Sequence, residues 1–238
     1  MATILVLQHH PDEGLGSLAP LLTGHGYNFD LRELDRGDPV PTSLARYAAL
    51  ILMGGPMSVQ DEAEYPYLHA EKSLIRMAAD DSCPILGHCL GAQLINVALG
   101  GTVARNPSGQ ELGWWPVALT TEGATYWPAV NSELLLFHWH GEHCATLPQD
   151  ARVLAYNAAT PVQGFALGDK ILALQAHPEV TAAQIQRWID GNAADLAQGG
   201  EYIQPVAKML GDLDDNCVGL AAAAALYRPW LEQVERRR

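Results

Sequence analysis

The chain has 238 residues, 48% of them hydrophobic and 17% charged, an ordinary globular composition with length for one large α/β domain or two small ones. A formal net charge of −13 argues against binding nucleic acid or an anionic membrane surface. Four cysteines without a CxxC pair exclude a disulfide scaffold and fit a reducing, cytoplasmic compartment. Residues 3–8 read as a buried first strand with no basic region before it, and so as no signal peptide. A polar loop at 9–13 leads to a helix over 15–25, stopped by Gly26. Residues 29–33 alternate like a strand, and 48–53 form a continuous apolar one that Gly54-Gly55-Pro56 ends abruptly. An amphipathic helix spans 67–79. The short run 84–86 is another buried strand. After it Leu94, Val97 and Ala98 recur at helical spacing until Gly100-Gly101.

Strands alternating with helices build right-handed βαβ units around a largely parallel sheet. Ligands of such sheets sit beyond the carboxyl ends of the strands, where the loops after Gln8, after Met53 and at Cys89 meet. Strands then follow at 102–104, 115–120, 134–139, 151–155, 162–167 and 171–176 without helices between them, an antiparallel or mixed extension. Thr181 caps a helix whose Ile185, Trp188 and Ile189 share one face. From Asn192 the chain reads as helical, with 221–226 a strong helix former. The run 218–226 is too short to cross a bilayer. The expected fold is α/β: a three-layer, flavodoxin-like domain with a mostly parallel central sheet, an antiparallel or mixed extension and a helical C-terminal tail.

The chemistry concentrates at Gly87-x-Cys89-x-Gly91, a nucleophile-elbow pattern with cysteine in the place of serine. A strand turning sharply into a helix brings backbones so close that a side chain at Gly87 or Gly91 would collide. Cys89 then stands at a helix N-terminus, whose dipole and free N–H groups favour a thiolate. A free cysteine is ordinarily only a small buried hydrophobe; the flanking glycines favour the nucleophile. Such a nucleophile needs a base and a group to orient it. His177-Pro178-Glu179 follows a strand, and the proline pushes His177 to extended geometry. Positions i and i+2 then share a face, so Glu179 can hold the His177 imidazole as in a catalytic triad.

Taken in order, Gly54-Gly55-Pro56, Gly87-x-Cys89-x-Gly91-x-Gln93 and His177-Pro178-Glu179 resemble the class I glutamine amidotransferases, most of all the glutaminase domain of GMP synthase and its free-standing relatives. Glu111-Leu112-Gly113-Trp114 and Trp139-His140-Gly141-Glu142 match further segments of that group. The resemblance covers roughly residues 3–190. It implies a class I glutamine amidotransferase domain at 1–190, with 191–238 a helical extension packed on the same domain.

The resemblance also implies a mechanism. Cys89 attacks the side-chain amide of glutamine, His177 protonates the departing ammonia, and water hydrolyses the γ-glutamyl thioester while Glu179 orients His177. The oxyanion hole falls to the backbone N–H groups of Gly55 and Leu90; Pro56 has none to offer. Gln93 matches the family's substrate-contacting glutamine, and Trp139 and His140 line the pocket near the substrate's α-amino and carboxylate groups. His88 stands where the family has an apolar residue, and it reads as a packed or hydrogen-bonded histidine. Trp139 replaces a serine, which suggests a differently shaped pocket. His138, His140, His143 and Cys144 could suggest zinc, but no second ligand group follows at recognisable spacing. No metal and no cofactor are expected.

The leading expectation is an enzyme that releases ammonia from glutamine. A γ-glutamyl peptidase or hydrolase of the same fold, using the same residues on another leaving group, is the alternative. A binding protein that has kept the fold without catalysis is a third. The chain has no phosphate-binding GxxxxGK[ST] loop, so any acceptor chemistry must lie on a synthetase partner chain. The partner in every catalytic case is a small-molecule substrate, with neither nucleic acid nor membrane involved.

Overall fold

The first strand is apolar on both faces: Ile4 and Val6 fall in one buried cluster and Leu5 and Leu7 in another. Such a strand has to lie in a sheet covered on both sides. The computed structural model, which describes residues 1–131, 133–211, 213 and 220–237, is built that way. The first half comprises β1 (Ala2–Gln8), α1 (Leu18–Gly24), β2 (Tyr27–Glu33), β3 (Tyr47–Leu52), α2 (Tyr67–Asp80), β4 (Ile85–His88) and α3 (Leu90–Ala98). β5 (Thr102–Arg105), β6 (Glu111–Leu119), α4 (Thr121–Tyr126), β7 (Glu133–His140), β8 (Glu142–Thr146), β9 (Arg152–Tyr156), β10 (Gly164–Leu167) and β11 (Ile171–Leu174) follow. The chain closes with α5 (Ala182–Gly191), α6 (Ala193–Ala197), α7 (Val206–Gly211) and α8 (Leu220–Arg236).

The main sheet has the order β2-β1-β3-β4-β11-β10-β9-β6-β7. Neighbours from β2 to β11 run parallel, and those from β11 to β7 run antiparallel. β5 and β8 form a separate antiparallel ribbon. Helices α1 and α8 cover one face through Leu18, Leu22, Trp230 and Val234. Helices α2 and α3 cover the other through Leu68, Ile75, Leu94 and Ile95. The fold is the expected three-layer, flavodoxin-like α/β domain with an antiparallel extension. A third cluster packs Ile185, Trp188 and Ile189 of α5 and Met209 of α7 on Leu112, Trp114 and Phe137 of the extension.

Some boundaries differ from the sequence reading. α1 starts at Leu18 rather than Leu15, because the Ser17 N–H donates to the Glu179 carbonyl at 2.8 Å and ties the preceding residues into a loop. β6 begins at Glu111; a buried charge there breaks the apolar pattern that marks a strand. β8 and α4 were not expected, the latter capped by the Thr120 hydroxyl, which accepts from the Gly123 N–H. β11 stops at Leu174, so His177 does not continue it. The His177 N–H crosses to the Phe137 carbonyl at 2.8 Å, and Val180 bonds back to His177 in a turn. In the tail, residues 199–205 are non-helical where a helix was expected, and Ile203 forms an isolated parallel bridge to Leu112 of β6. Cys217 and the start of the run 218–226 lie outside the described residues.

Candidate active site

β4 hands over to α3 through one residue, Cys89, at φ 47° and ψ −108°, a conformation that costs a non-glycine residue about 1–3 kcal/mol. The expected crowding is present. A Cβ on Gly87 would lie 2.6 Å from the Gly91 carbonyl carbon, and one on Gly91 would lie 2.2 Å from the Leu52 oxygen. The Cys89 N–H donates to the Leu174 carbonyl at 2.8 Å, so the neighbouring strand holds the strained residue in place. The sulfur emerges at the start of α3, 3.8 Å from the Trp139 carbonyl oxygen.

His177 Nδ1 and Glu179 Oε1 are 2.8 Å apart, both side chains buried. They meet across a turn rather than along an extended strand, so the i, i+2 pairing holds although its expected geometry does not. Burial disfavours a charged His177, but the Glu179 charge and hydrogen bonds with Cys89 and Glu179 outweigh it and hold the imidazole well above its ordinary value. Glu179 is pulled below its ordinary value despite burial, by His88, by His177 and by the His177 hydrogen bond. His88 is fully buried and 2.9 Å from the Tyr227 hydroxyl of α8, the packed and hydrogen-bonded histidine of the sequence reading.

Gly55 and Leu90 lie side by side: a Cβ on Gly55 would be 2.7 Å from the Leu90 side chain. Leu90 is the first residue of α3, whose opening N–H groups have no intrahelical acceptor. The Gly54-Gly55 loop is clamped by His9, which donates from Nδ1 to the Gly54 carbonyl at 3.1 Å and from Nε2 to Glu71 Oε1 at 2.9 Å. With both ring nitrogens facing acceptors, His9 carries two protons. Its pKa is raised: burial opposes the charge, but Glu71 and the two hydrogen bonds prevail.

A cavity of about 760 Å³ opens above these residues, lined by Cys89, Gly55, Gln93, Trp139 and His140 among others. Gln93 is anchored by its amide, which donates to the Glu142 carbonyl and to Gln175 Oε1, both at 3.1 Å. Trp139 stacks on Phe137, and Trp188 stands edge-on to the His177 ring with centroids 4.8 Å apart. The His140 Nδ1–H donates to the Glu142 carbonyl at 3.0 Å, leaving Nε2 3.2 Å from Glu111 Oε2. The structure thus brings together Cys89, His177, Glu179, Gly55, Leu90, Gln93, Trp139 and His140 and sets Glu13, His9, Trp188 and Tyr227 around them. Trp188 shows in the sequence only as part of an apolar helix face, and no pattern marks Glu13, His9 or Tyr227; the roles of all four come from contacts distant along the chain.

Glu111, His138 and His140 bring one potential metal-ligand atom each within 4.8 Å of one another. The second ligand group missing from the sequence pattern is supplied by β6. The Glu111 carboxylate, however, already accepts from the Asn157 amide, the Thr160 hydroxyl and the Gln163 amide. Burial, against the pull of Glu111, pushes His138 down to about 4. The set works first as a buried polar anchor behind His140.

A family profile described as Glutamine amidotransferase class-I matches residues 7–190. The glutamine amidotransferase-like protein YfeJ of Salmonella typhimurium is 31% identical over 209 residues, which cover 84% of this chain and 86% of that protein. The glutamine-hydrolyzing GMP synthase of Streptomyces avermitilis is 30% identical over 213 residues, covering 80% of this chain but 38% of the synthase. The crystal structure of a glutamine amidotransferase from Methylobacillus flagellatus superimposes with a TM-score of 0.91 at 29% identity, covering 98% of this chain and 95% of that one. The chain belongs to the class-I glutamine amidotransferase family.

Proposed function

We propose that this protein hydrolyses the side-chain amide of glutamine, releasing ammonia, through a γ-glutamyl thioester on Cys89. The observation that carries the reading is the strained cysteine beside a buried His177–Glu179 pair 2.8 Å apart. The Cys89 thiol gives its proton to His177, and the sulfur forms a bond to the amide carbon. His177 Nε2 passes that proton to the amide nitrogen as the C–N bond breaks, freeing ammonia. Water then attacks the thioester, His177 takes its proton and returns it to the departing sulfur, and glutamate leaves. Glu179 fixes the ring with Nε2 toward the cavity and stabilises the imidazolium. The N–H groups of Gly55 and Leu90 receive the oxyanion, and Gln93, Trp139 and His140 receive the α-amino and carboxylate end.

The γ-glutamyl hydrolase alternative draws support from the cavity. At about 760 Å³ it falls in the range of pockets for drug-sized ligands, roughly 300–1,000 Å³, and exceeds the needs of a free amino acid. The amidotransferase alternative would deliver ammonia to a synthetase on another polypeptide, since the matched part of GMP synthase is 38% of that protein. Residues 191–238 serve as part of the same catalytic domain, a reading supported by the burial of Tyr227 and Trp230 of α8 in the core. Cys83, Cys89 and Cys144 are free and buried, which supports a cytoplasmic setting. Among the described residues no helix is long and apolar enough to cross a membrane.

The test is release of ammonia from L-glutamine and of amine from γ-glutamyl amides by wild type and Cys89→Ala. Turnover abolished in the variant supports the mechanism. Turnover that survives the substitution overturns it, and inertness of the wild type toward every amide leaves the binding-protein reading in its place.

A further inference from the structure

Among the described residues, Glu13 is the one carboxylate beside His177 that the proposed mechanism does not use. Its Oε2 lies 1.9 Å from the point where a Cβ on Gly54 would stand, and His177 Cε1 lies 3.0 Å from that same point. Cε1 sits between the two ring nitrogens. Nδ1 is bound to Glu179, so Nε2 is the nitrogen that protonates the leaving group, and Glu13 stands by the ring carbon bonded to it. Glu13 lines the cavity, and no side chain forms an ion pair or hydrogen bond with its carboxylate among the described residues. The cavity wall is acidic around it. Of its two arginines, Arg187 is paired with Asp12, while Asp61, Glu142 and Asp195 add negative charge with only Arg105 to set against them. Burial raises the Glu13 carboxyl above its ordinary range, against the pull of His177 and His9. His177 supplies a positive charge beside Glu13 while it is protonated; once it has handed its proton to the leaving group, Glu13 gains by acquiring another cationic neighbour.

We propose that Glu13 forms the leaving-amine subsite, accepting ammonia or an uncharged or cationic amine and repelling any leaving group with a carboxylate beside the scissile nitrogen. The inference rests on the amide-hydrolysis reading and adds its leaving-group class. As the C–N bond breaks, the nitrogen receives its proton from His177 Nε2 and leaves as a free amine, which takes a second proton from solvent to become an ammonium ion. Glu13 stabilises the positive charge that the nitrogen carries between its protonation by His177 and the breaking of the C–N bond. In a γ-glutamyl amino acid the leaving nitrogen carries a carboxylate two bonds away, and two like charges a few ångströms apart in a partly dry cavity repel strongly. The substrate class is therefore glutamine and γ-glutamyl amines, not γ-glutamyl amino acids.

The experiment compares kcat/KM for L-glutamine, γ-glutamylethylamide and γ-glutamylglycine in wild type and Glu13→Gln. The last two substrates differ chiefly by the carboxylate. Wild type should favour the ethylamide over the glycine compound by about tenfold or more, and Glu13→Gln should shrink that preference by about tenfold. Equal or inverted wild-type preference overturns the proposal, as does an unchanged ratio in the variant. A general folding defect lowers both substrates together and leaves the ratio readable; if the variant does not fold at all, the wild-type ratio decides. Failure of wild type on all three substrates overturns the hydrolase reading itself, an outcome distinct from loss of selectivity.

Discussion

Tyr227 and His88 are joined by a hydrogen bond of 2.9 Å, which links the last helix of the chain to the residue before Cys89. The same His88 nitrogen lies 3.7 Å from Glu179 Oε2, so α8 supports the carboxylate behind His177 from the far side of the sheet. Burial pushes His88 below its ordinary value, against Glu179 and with His177, and the ring is neutral. Its Nδ1 is buried without a partner; a bare lone pair costs less there than a stranded N–H, which assigns the proton to Nε2, donated to Tyr227. Tyr227→Phe removes that acceptor. The expected result is a several-fold fall in kcat with little change in KM, and a loss of about 1 kcal/mol of stability. Steady-state kinetics beside urea unfolding checks both, and a change confined to KM would contradict this positioning role.

The backbone strain at Cys89 gives a comparison free of chemistry. Cys89→Ala and Cys89→Gly both lack a nucleophile and should both be inactive. Only glycine accommodates φ 47° and ψ −108° without cost, so the glycine variant should be more stable than the alanine variant by about 1–3 kcal/mol. Denaturant unfolding of the two proteins measures the difference directly.

The clamp on the Gly54-Gly55 loop predicts a pH dependence. His9 has a folded pKa above its unfolded value of 6.5, so its contribution is complete below that pH and disappears as pH rises through the folded value. Wild-type stability should therefore fall on the alkaline side, and Glu71→Gln should flatten this fall. Glu71→Ala leaves a buried imidazolium unpaired, at a cost of roughly 3–5 kcal/mol. It should also lower kcat, because the loop carries the Gly55 donor. Unfolding free energies from about one unit below the ordinary histidine value to a few units above it test the sign.

Glu111 should act in the opposite direction. Burial opposes its ionisation, but His138, His140 and the hydrogen bonds prevail, so its folded pKa lies well below the unfolded 4.5. Its contribution is present above pH 4.5 and is lost as pH falls through the folded value. Glu111→Gln turns an acceptor into a donor amid the Asn157, Thr160 and Gln163 donors, and should cost about 3 kcal/mol at neutral pH. The cost should shrink in acid. Acid unfolding followed by circular dichroism distinguishes this from a cost that does not vary with pH.

What the sequence by itself determined about this protein is whatever depends on neighbours along the chain. The Gly87-x-Cys89-x-Gly91 elbow is a local backbone event, and His177 reaches Glu179 two residues away. The apolar runs of β1, β3 and β4 name a buried parallel sheet because both faces of each strand must be covered. Tertiary structure alone decided the surroundings. Glu13 in a polar loop reads like any solvated carboxylate until the sheet edge carries it to His177. Trp188 reads as part of a helix face turned to a core, Glu111 as one residue of a matching motif, and Tyr227 carries no signal, until packing sets them against His177, His140 and His88. Local geometry follows from steric limits within a few residues, whereas the charge, burial and partners of a side chain depend on which distant segments the fold brings against it.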